Sequence, residues 1–308
     1  MGLEEEAHVD MSAVNKSLIL ILLLLIAYAS WYWVQHRETA EGSGPLLKFP
    51  IESVHAIHVA AKGKPDITLR RQGVRWQMME PIRDFADEAK VLEFLLYAKG
   101  IEKERLISPS VQSLKPFGLE PPNAVLAVQT PEASWELRFG NKTVDEEKVF
   151  ACLGGSTQVF LVLIDAFKNL PDQAFLFREK GLLMLEKDQV QDVEIEFGGN
   201  KTGFKRTAKS WIQTDRGAHA ELLDQMDRIV EDLGRSLILS FDENGDADAG
   251  QQGLTPPNIR VKVSSSADGQ TFLFGNQAQE GFVYARVEGR PGTMQVEKPL
   301  LWEILMSR

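Results

Sequence analysis

The stretch Gly118-Leu119-Glu120-Pro121-Pro122-Asn123 returns 135 residues later as Gly253-Leu254-Thr255-Pro256-Pro257-Asn258, and nothing else in the chain restricts its fold so strongly. Two further landmarks keep the same offset. Trp76 recurs as Trp211, and Phe139-Gly140-Asn141 recurs as Phe274-Gly275-Asn276. Three separated motifs in one register mark an internal duplication, each copy being one folding unit. The chain therefore divides into a short tail over 1–16, an apolar segment over 17–35, a linker over 36–45, a first repeat over 46–178 and a second over 179–308.

Within the first repeat, Val54, Ile57 and Val59, then Ile67 and Leu69, alternate with polar residues as half-buried strands do. Gly73 supplies a turn before Arg75 to Met78, and Pro81 ends that strand. Asp87 is placed to cap a helix over 88–101, in which Val91, Phe94, Leu95 and Ala98 share one face. Strands follow around Val125, at 135–139, 149–153 and 159–163, and a short helix at 165–170 closes the repeat.

The second repeat runs in the same order: strands at 193–197, 204–206 and 211–213, then a helix over 220–233 with Leu222, Leu223, Met226, Ile229, Val230 and Leu233 in a stripe. An acidic, glycine-containing stretch at 242–252 reads as a mobile loop, and strands around Val261, Phe272 and Tyr284 precede a closing helix at 300–306. Strands, helix, strands is an α+β order. The expected fold is thus an N-terminal single transmembrane helix followed by two tandem repeats, each an antiparallel sheet with one main helix and a short closing helix.

The transmembrane expectation rests on 17–34, which carries no charge and is about long enough to cross a bilayer. Leu18 and Leu25 belong to its apolar body, and Trp31, Tyr32 and Trp33 cluster at one end as interfacial aromatics do. Glu4, Glu5, Glu6 and Asp10 in the leader argue against a cleaved signal peptide ending near Ala27-Tyr28-Ala29. Lys16 on one side and Arg37 and Lys48 on the other leave the charge rule undecided. A short tail before a single span places the large domain outside the cytoplasm, on the inner membrane.

A net charge of -10 disfavours a nucleic-acid partner, because phosphate binding needs a basic face. Cys152 stands alone, so there is no internal disulfide and no cysteine-rich zinc site; it reads as a small core residue. His55 and His58 would fall on opposite faces of a strand, which is unsuited to a shared metal. Asp84, Asp87 and Glu88 read as helix-capping acids before they read as an acid/base pair. Gly154-Gly155 is a hairpin turn, since no lysine follows at phosphate-loop spacing. Asn15, Asn141 and Asn200 match the glycosylation pattern, which chance produces often. Trp76 and Trp211, at matching places, read as equivalent core plugs, with ligand stacking as the alternative. No catalytic residue, metal ligand or cofactor motif emerges.

Trp76 followed by Pro81, Ala86-Asp87 opening a helix, Phe117-Gly118-Leu119 with Pro121, the strand and turn from Leu137 to Gly140, and Val159-Phe160-Leu161 together resemble the bacterial domain of unknown function 4340 family. The resemblance covers most of 46–178 and is looser in the second repeat, where Arg216 stands in the place of Pro81. It implies a membrane-anchored extracytoplasmic protein associated with ABC transporters, acting as a non-catalytic scaffold or accessory subunit with an envelope partner such as a permease. A second expectation is a module that takes a lipid, glycan or peptide in the groove between the repeats. An envelope hydrolase finds no support in the spacing, and oligomeric state is not readable from the sequence.

Overall fold

The described residues of the computed structural model are Leu25, Ile26, Tyr28, 44–215 and 219–306. Alternation makes the first sheet: Ile57, Val59, Ile67, Leu69 and Met78 are buried on one face, and His58 and Thr68 between them point to the other. The strands are β1 (Ala56–Ala61), β2 (Ile67–Gln72), β3 (Arg75–Glu80), β4 (Asp84–Phe85), β5 (Arg105–Ser108), β6 (Ala124–Gln129), β7 (Ser134–Lys142), β8 (Lys148–Leu153) and β9 (Val159–Leu163). Their order across the sheet is β4-β3-β2-β1-β6-β7-β8-β9-β5, and neighbours run antiparallel.

Helix α1 (Glu88–Lys99) covers the buried face through Val91, Phe94, Leu95 and Ala98. The side chain of Asp87 accepts hydrogen bonds from the backbone N–H groups of Ala89 and Lys90, as its capping position requires. Twelve residues are marginal as an isolated helix, so packing on the sheet is what holds this one together. A five-residue helix α2 (Ile164–Lys168) follows β9.

The second sheet contains β10 (Asp192–Phe197), β11 (Asn200–Arg206), β12 (Trp211–Gln213), β13 (Ile238–Asp242), β14 (Ile259–Ser264), β15 (Gly269–Gln279), β16 (Phe282–Val287) and β17 (Thr293–Glu297). Its order, β12-β11-β10-β14-β15-β16-β17-β13, is the order of the first sheet without β4. A 3-10 turn at Ala220–Gln225 leads into α3 (Met226–Arg235), the counterpart of α1, and α4 (Leu300–Met306) is the counterpart of α2. Each repeat encloses its own apolar core, and Pro45–Arg308 form one compact unit.

The sequence landmarks meet in space. In the first repeat Gly118 has a left-handed φ of 68°, Leu119 is buried, and Asn123 Nδ2 donates to Gly140 O at 2.9 Å. A Cβ on Gly140 would lie 2.1 Å from Phe117 O, so the proline turn sits directly against backbone that only glycine allows. The second repeat repeats the device: Gly253 has φ 70°, Asn258 Nδ2 donates to Asn276 Oδ1 at 2.9 Å, and a Cβ on Gly275 would lie 2.0 Å from Gln252 O. Both Glu120-Pro121 and Thr255-Pro256 are cis. Trp76 and Trp211 pair across their hairpins with Arg71 and Arg206 and are buried in the two cores.

Two expectations need correction. The fold is two antiparallel sheets with few helices, and among the described residues no helix is long and apolar enough to cross a membrane. The longest of the described α-helices, α1, has 12 residues, about 18 Å at 1.5 Å per residue, well short of a bilayer core of about 30 Å. The transmembrane helix expected over 17–35 is therefore not found among the described elements; Leu18, Trp31, Tyr32 and Trp33 lie outside the described residues, and Leu25 is helical and exposed. The stretch 242–252 is also more ordered than a mobile loop. β13 runs to Asp242, a 3-10 turn spans Gly245–Asp248, and Ala249 is buried beside Leu254 and Leu273, because this segment seats the second proline turn.

Truncating Trp76 or Trp211 to Ala should cost about 3–5 kcal/mol, read as a lower urea midpoint with an unchanged slope. Gly140→Ala and Gly275→Ala should each cost about 2–3 kcal/mol by forcing backbone apart, against about 1 kcal/mol for Gly73→Ala, which has a positive φ but open space. Equal losses at Gly140 and Gly73 in the same denaturation series would contradict this account of the turn.

Candidate functional site

The chain across the boundary of the repeats, residues 177–182, forms a second linker and is itself a strand-like piece that pairs on both sides. Asp87 N–H donates to Phe177 O and Glu179 N–H donates to Phe85 O, which extends the first sheet beyond β4. Three residues on, Ile238 N–H donates to Lys180 O and Leu182 N–H to Ser236 O, which extends the second sheet beyond β13. The two sheets are thus joined edge to edge.

A charged cluster is buried at this seam. Asp84, on β4, accepts from Arg178 Nε at 2.7 Å through Oδ2, and from Arg290 at 2.8 Å to Oδ1 and 3.0 Å to Oδ2. Its Oδ1 also accepts from Phe85 N–H at 2.9 Å. Arg290, on the turn between β16 and β17, donates in addition to Glu179 O at 2.7 Å. The Asp84 and Arg290 side chains are 0% exposed and that of Arg178 is 2%, so one carboxylate holds together two guanidinium groups that have left water. Glu243, half-exposed, stands 3.6 Å from Arg178 Nη1 and offsets the second positive charge.

The ring of Phe241, on β13, lies 3.5 Å from the Arg178 guanidinium and 5.3 Å from that of Arg290. Its negative face takes up charge that hydrogen bonds leave, for Arg178 Nη2 and Arg290 Nη1 have no other polar partner. Burial pushes the Arg178 guanidinium below its ordinary pKa, and Asp84 works in the opposite direction. Asp84 is therefore no helix cap; among the acids read that way, Asp87 caps α1 and Glu88 accepts from Trp76 N–H at 2.8 Å. Sequence reasoning passed over Arg178, Arg290 and Phe241, and the available signal was only that Asp84 precedes the true cap by three residues.

Surface hollows lie on the first repeat. One, of about 470 Å³, runs between α1 and residues 168–177 and is floored by Phe94, Leu170 and Phe177. A second, of about 320 Å³, continues past Tyr97 between Leu96 and Leu163 towards Glu102 and Glu104. Tyr97 stands between them, its hydroxyl donating to Asp165 O at 2.7 Å and its pKa raised by burial. Leu92 and Leu96, on the outward side of α1, are 48% and 56% exposed. A third hollow, of about 460 Å³, opens on the far face of the sheet and is lined by His58, Thr68, Arg70, Glu80 and Arg83.

Among the remaining sequence candidates, Cys152 is fully buried beside Leu119 and Val159, and that burial pushes its thiol up, as suits a core residue. His55 is exposed just before β1, and among the described residues no group of three or more His, Cys, Asp or Glu could hold a metal. Gly155 has φ 73° and turns β8 into β9.

Asp84→Asn should cost about 3–5 kcal/mol, because it leaves two guanidiniums buried without their shared anion. Arg290→Met should cost less, since Arg178 still pairs with Asp84. Urea unfolding followed by Trp76 and Trp211 fluorescence, each with the other tryptophans replaced by Phe, should also separate into two transitions in the Asp84 variant. A single coincident transition with both losses below about 1 kcal/mol would show that the seam does not couple the repeats.

No curated protein and no solved structure matches the chain. A family model, that of a domain of unknown function (DUF4340), matches residues 76–241, more than half of the sequence. The matched stretch begins at Trp76 on β3 and ends at Phe241 on β13, so it spans the seam and includes Asp84 and Arg178. By that match the chain belongs to the DUF4340 family.

Proposed function

We propose that this protein is a non-catalytic accessory subunit or scaffold that docks a helical segment of a partner along α1. The observation that supports it is an asymmetry between equivalent helices. α3 turns Asp227, Arg228 and Arg235 to water, whereas α1 turns Leu92 and Leu96 to water in addition to the apolar face it buries. Both repeats have the same sheet order, so folding asks nothing of those two leucines that it does not ask of the charged positions on α3.

Leu163 and Leu176 widen the apolar surface on either side of Tyr97. Its charges are uneven. Lys90 pairs with Glu93 and Lys64 with Asp172 at one end, while Glu102, Glu104 and Asp165 line the other, next to the negative end of the α1 dipole. The occupant that fits is a leucine-rich helix with a basic end lying over Glu102 and Glu104. The family resemblance supplies the setting: an envelope complex on the extracytoplasmic side, with a permease of the ABC-transporter type as the partner. A ligand site between the repeats has less in its favour, since the packed Asp84 cluster occupies the seam.

A fluorescent leucine-rich helical peptide with lysines at one end should bind saturably by anisotropy. Leu92→Glu with Leu96→Glu should weaken it by about tenfold or more without changing the melting temperature, and Arg228→Glu on α3 should leave it alone. The same pair of substitutions should abolish copurification with an ABC-transporter permease from envelope extracts. Undiminished peptide affinity in the α1 variant would end the docking proposal.

A further inference from the structure

The far face of the first sheet carries a line of polar side chains that neither the core nor the α1 surface uses. Thr68 pairs across β1–β2 with His58 and across β2–β3 with Glu80. The second pairing exists because of a bulge: Leu69 faces Met78, but Thr68 faces Glu80, with Met79 as the extra residue. Thr68 Oγ1 donates to Glu80 Oε2 at 2.7 Å and lies 3.1 Å from His58 Nδ1. A hydroxyl has one proton to donate, and here it points to the carboxylate. His58 must then carry its proton on Nδ1 to donate to Thr68, which leaves Nε2 outside this chain of hydrogen bonds.

The side chains of Arg70 and Arg83 line the same hollow with Gln129 and make no hydrogen bond or ion pair among the described residues. The second repeat provides an internal comparison. Its strands put Glu194 opposite Gly203 where the first has His58 opposite Thr68, and Lys205 replaces Arg70. There Lys201 pairs with Glu194 and Lys205 with Asp192. One copy of the duplicated sheet thus neutralises its own cations, and the other leaves two guanidiniums open beside an oriented imidazole.

We propose that this hollow binds an oxyanion, a carboxylate or phosphate group, with Arg70 and Arg83 as its charge partners and His58 as a polar wall held in place by Thr68 and Glu80. Guanidinium groups suit both anions because their forked N–H groups match two oxygens at once. The site is on the opposite side of the sheet from α1, so it stands or falls independently of partner docking.

The test is titration of the full chain with inorganic phosphate and, separately, succinate, following the His58 ring protons by NMR. At least one anion should give a saturable shift, and which one responds assigns the class. Arg70→Gln with Arg83→Gln should weaken that binding by about tenfold or more, and Lys205→Gln should not. Both arginines are exposed, so the double variant should keep its circular dichroism and melting temperature. No saturable shift with either anion, or equal affinity in the double variant, would overturn the proposal.

Discussion

One carboxylate, that of Asp84, sits where the two halves of this molecule meet, and the arrangement of both sheets depends on how it is satisfied. A buried anion without partners would be strongly disfavoured, and two buried guanidiniums without an anion more so. The fold brings them together from three places: β4, the linker after the first repeat, and a turn near the end of the second. Coulomb attraction alone does not guarantee net stabilisation at such a site, because desolvation of each ion opposes it. Here the carboxylate accepts four hydrogen bonds and Phe241 faces the cations, which offsets part of the desolvation cost at Arg178 Nη2 and Arg290 Nη1, the atoms left without a polar partner. Its direction-dependent bonds fix orientation in a way that apolar contact does not.

That fixed orientation turns two sheets into one platform, with the linker paired to both edges. Otherwise exposed edges at β4 and β13 are covered by it, which removes two templates for unwanted strand pairing. The platform is symmetric in topology but not in surface. Apolar side chains on the outside of α1 and open cations on the far face of its sheet both belong to the first repeat. Duplication lets one copy keep to folding while the other diverges, and the contrast between them separates what the fold needs from what a partner or ligand would need.

How much of this could be read beforehand differs by residue. Asp87 as a cap, the stripe on α1 and the turn at Gly118 follow from local rules, which depend on neighbours a few residues apart. The helix start at Met226 was displaced by a 3-10 turn over Ala220–Gln225, a detail that periodicity does not resolve. Asp84 reads as one of the capping acids because it sits close to them in sequence; its actual partners are 94 and 206 residues away. In sequence His58 has His55 as its neighbouring histidine, yet its partner is Thr68 on the next strand, and Glu80 enters through a bulge that no pattern of two would reveal.

Repetition of Gly118 to Asn123, Trp76 and Gly140 is enough by itself to determine that the chain is a doubled unit of strands and one main helix, since a motif repeated in register builds the same local geometry twice. Tertiary structure alone decided that the two units share an edge-paired linker and that Asp84 binds across the seam. The physical reason is range: backbone propensity and alternation act over a few residues, whereas strand order, seam chemistry and the choice of exposed face are set by contacts between positions a hundred or more residues apart.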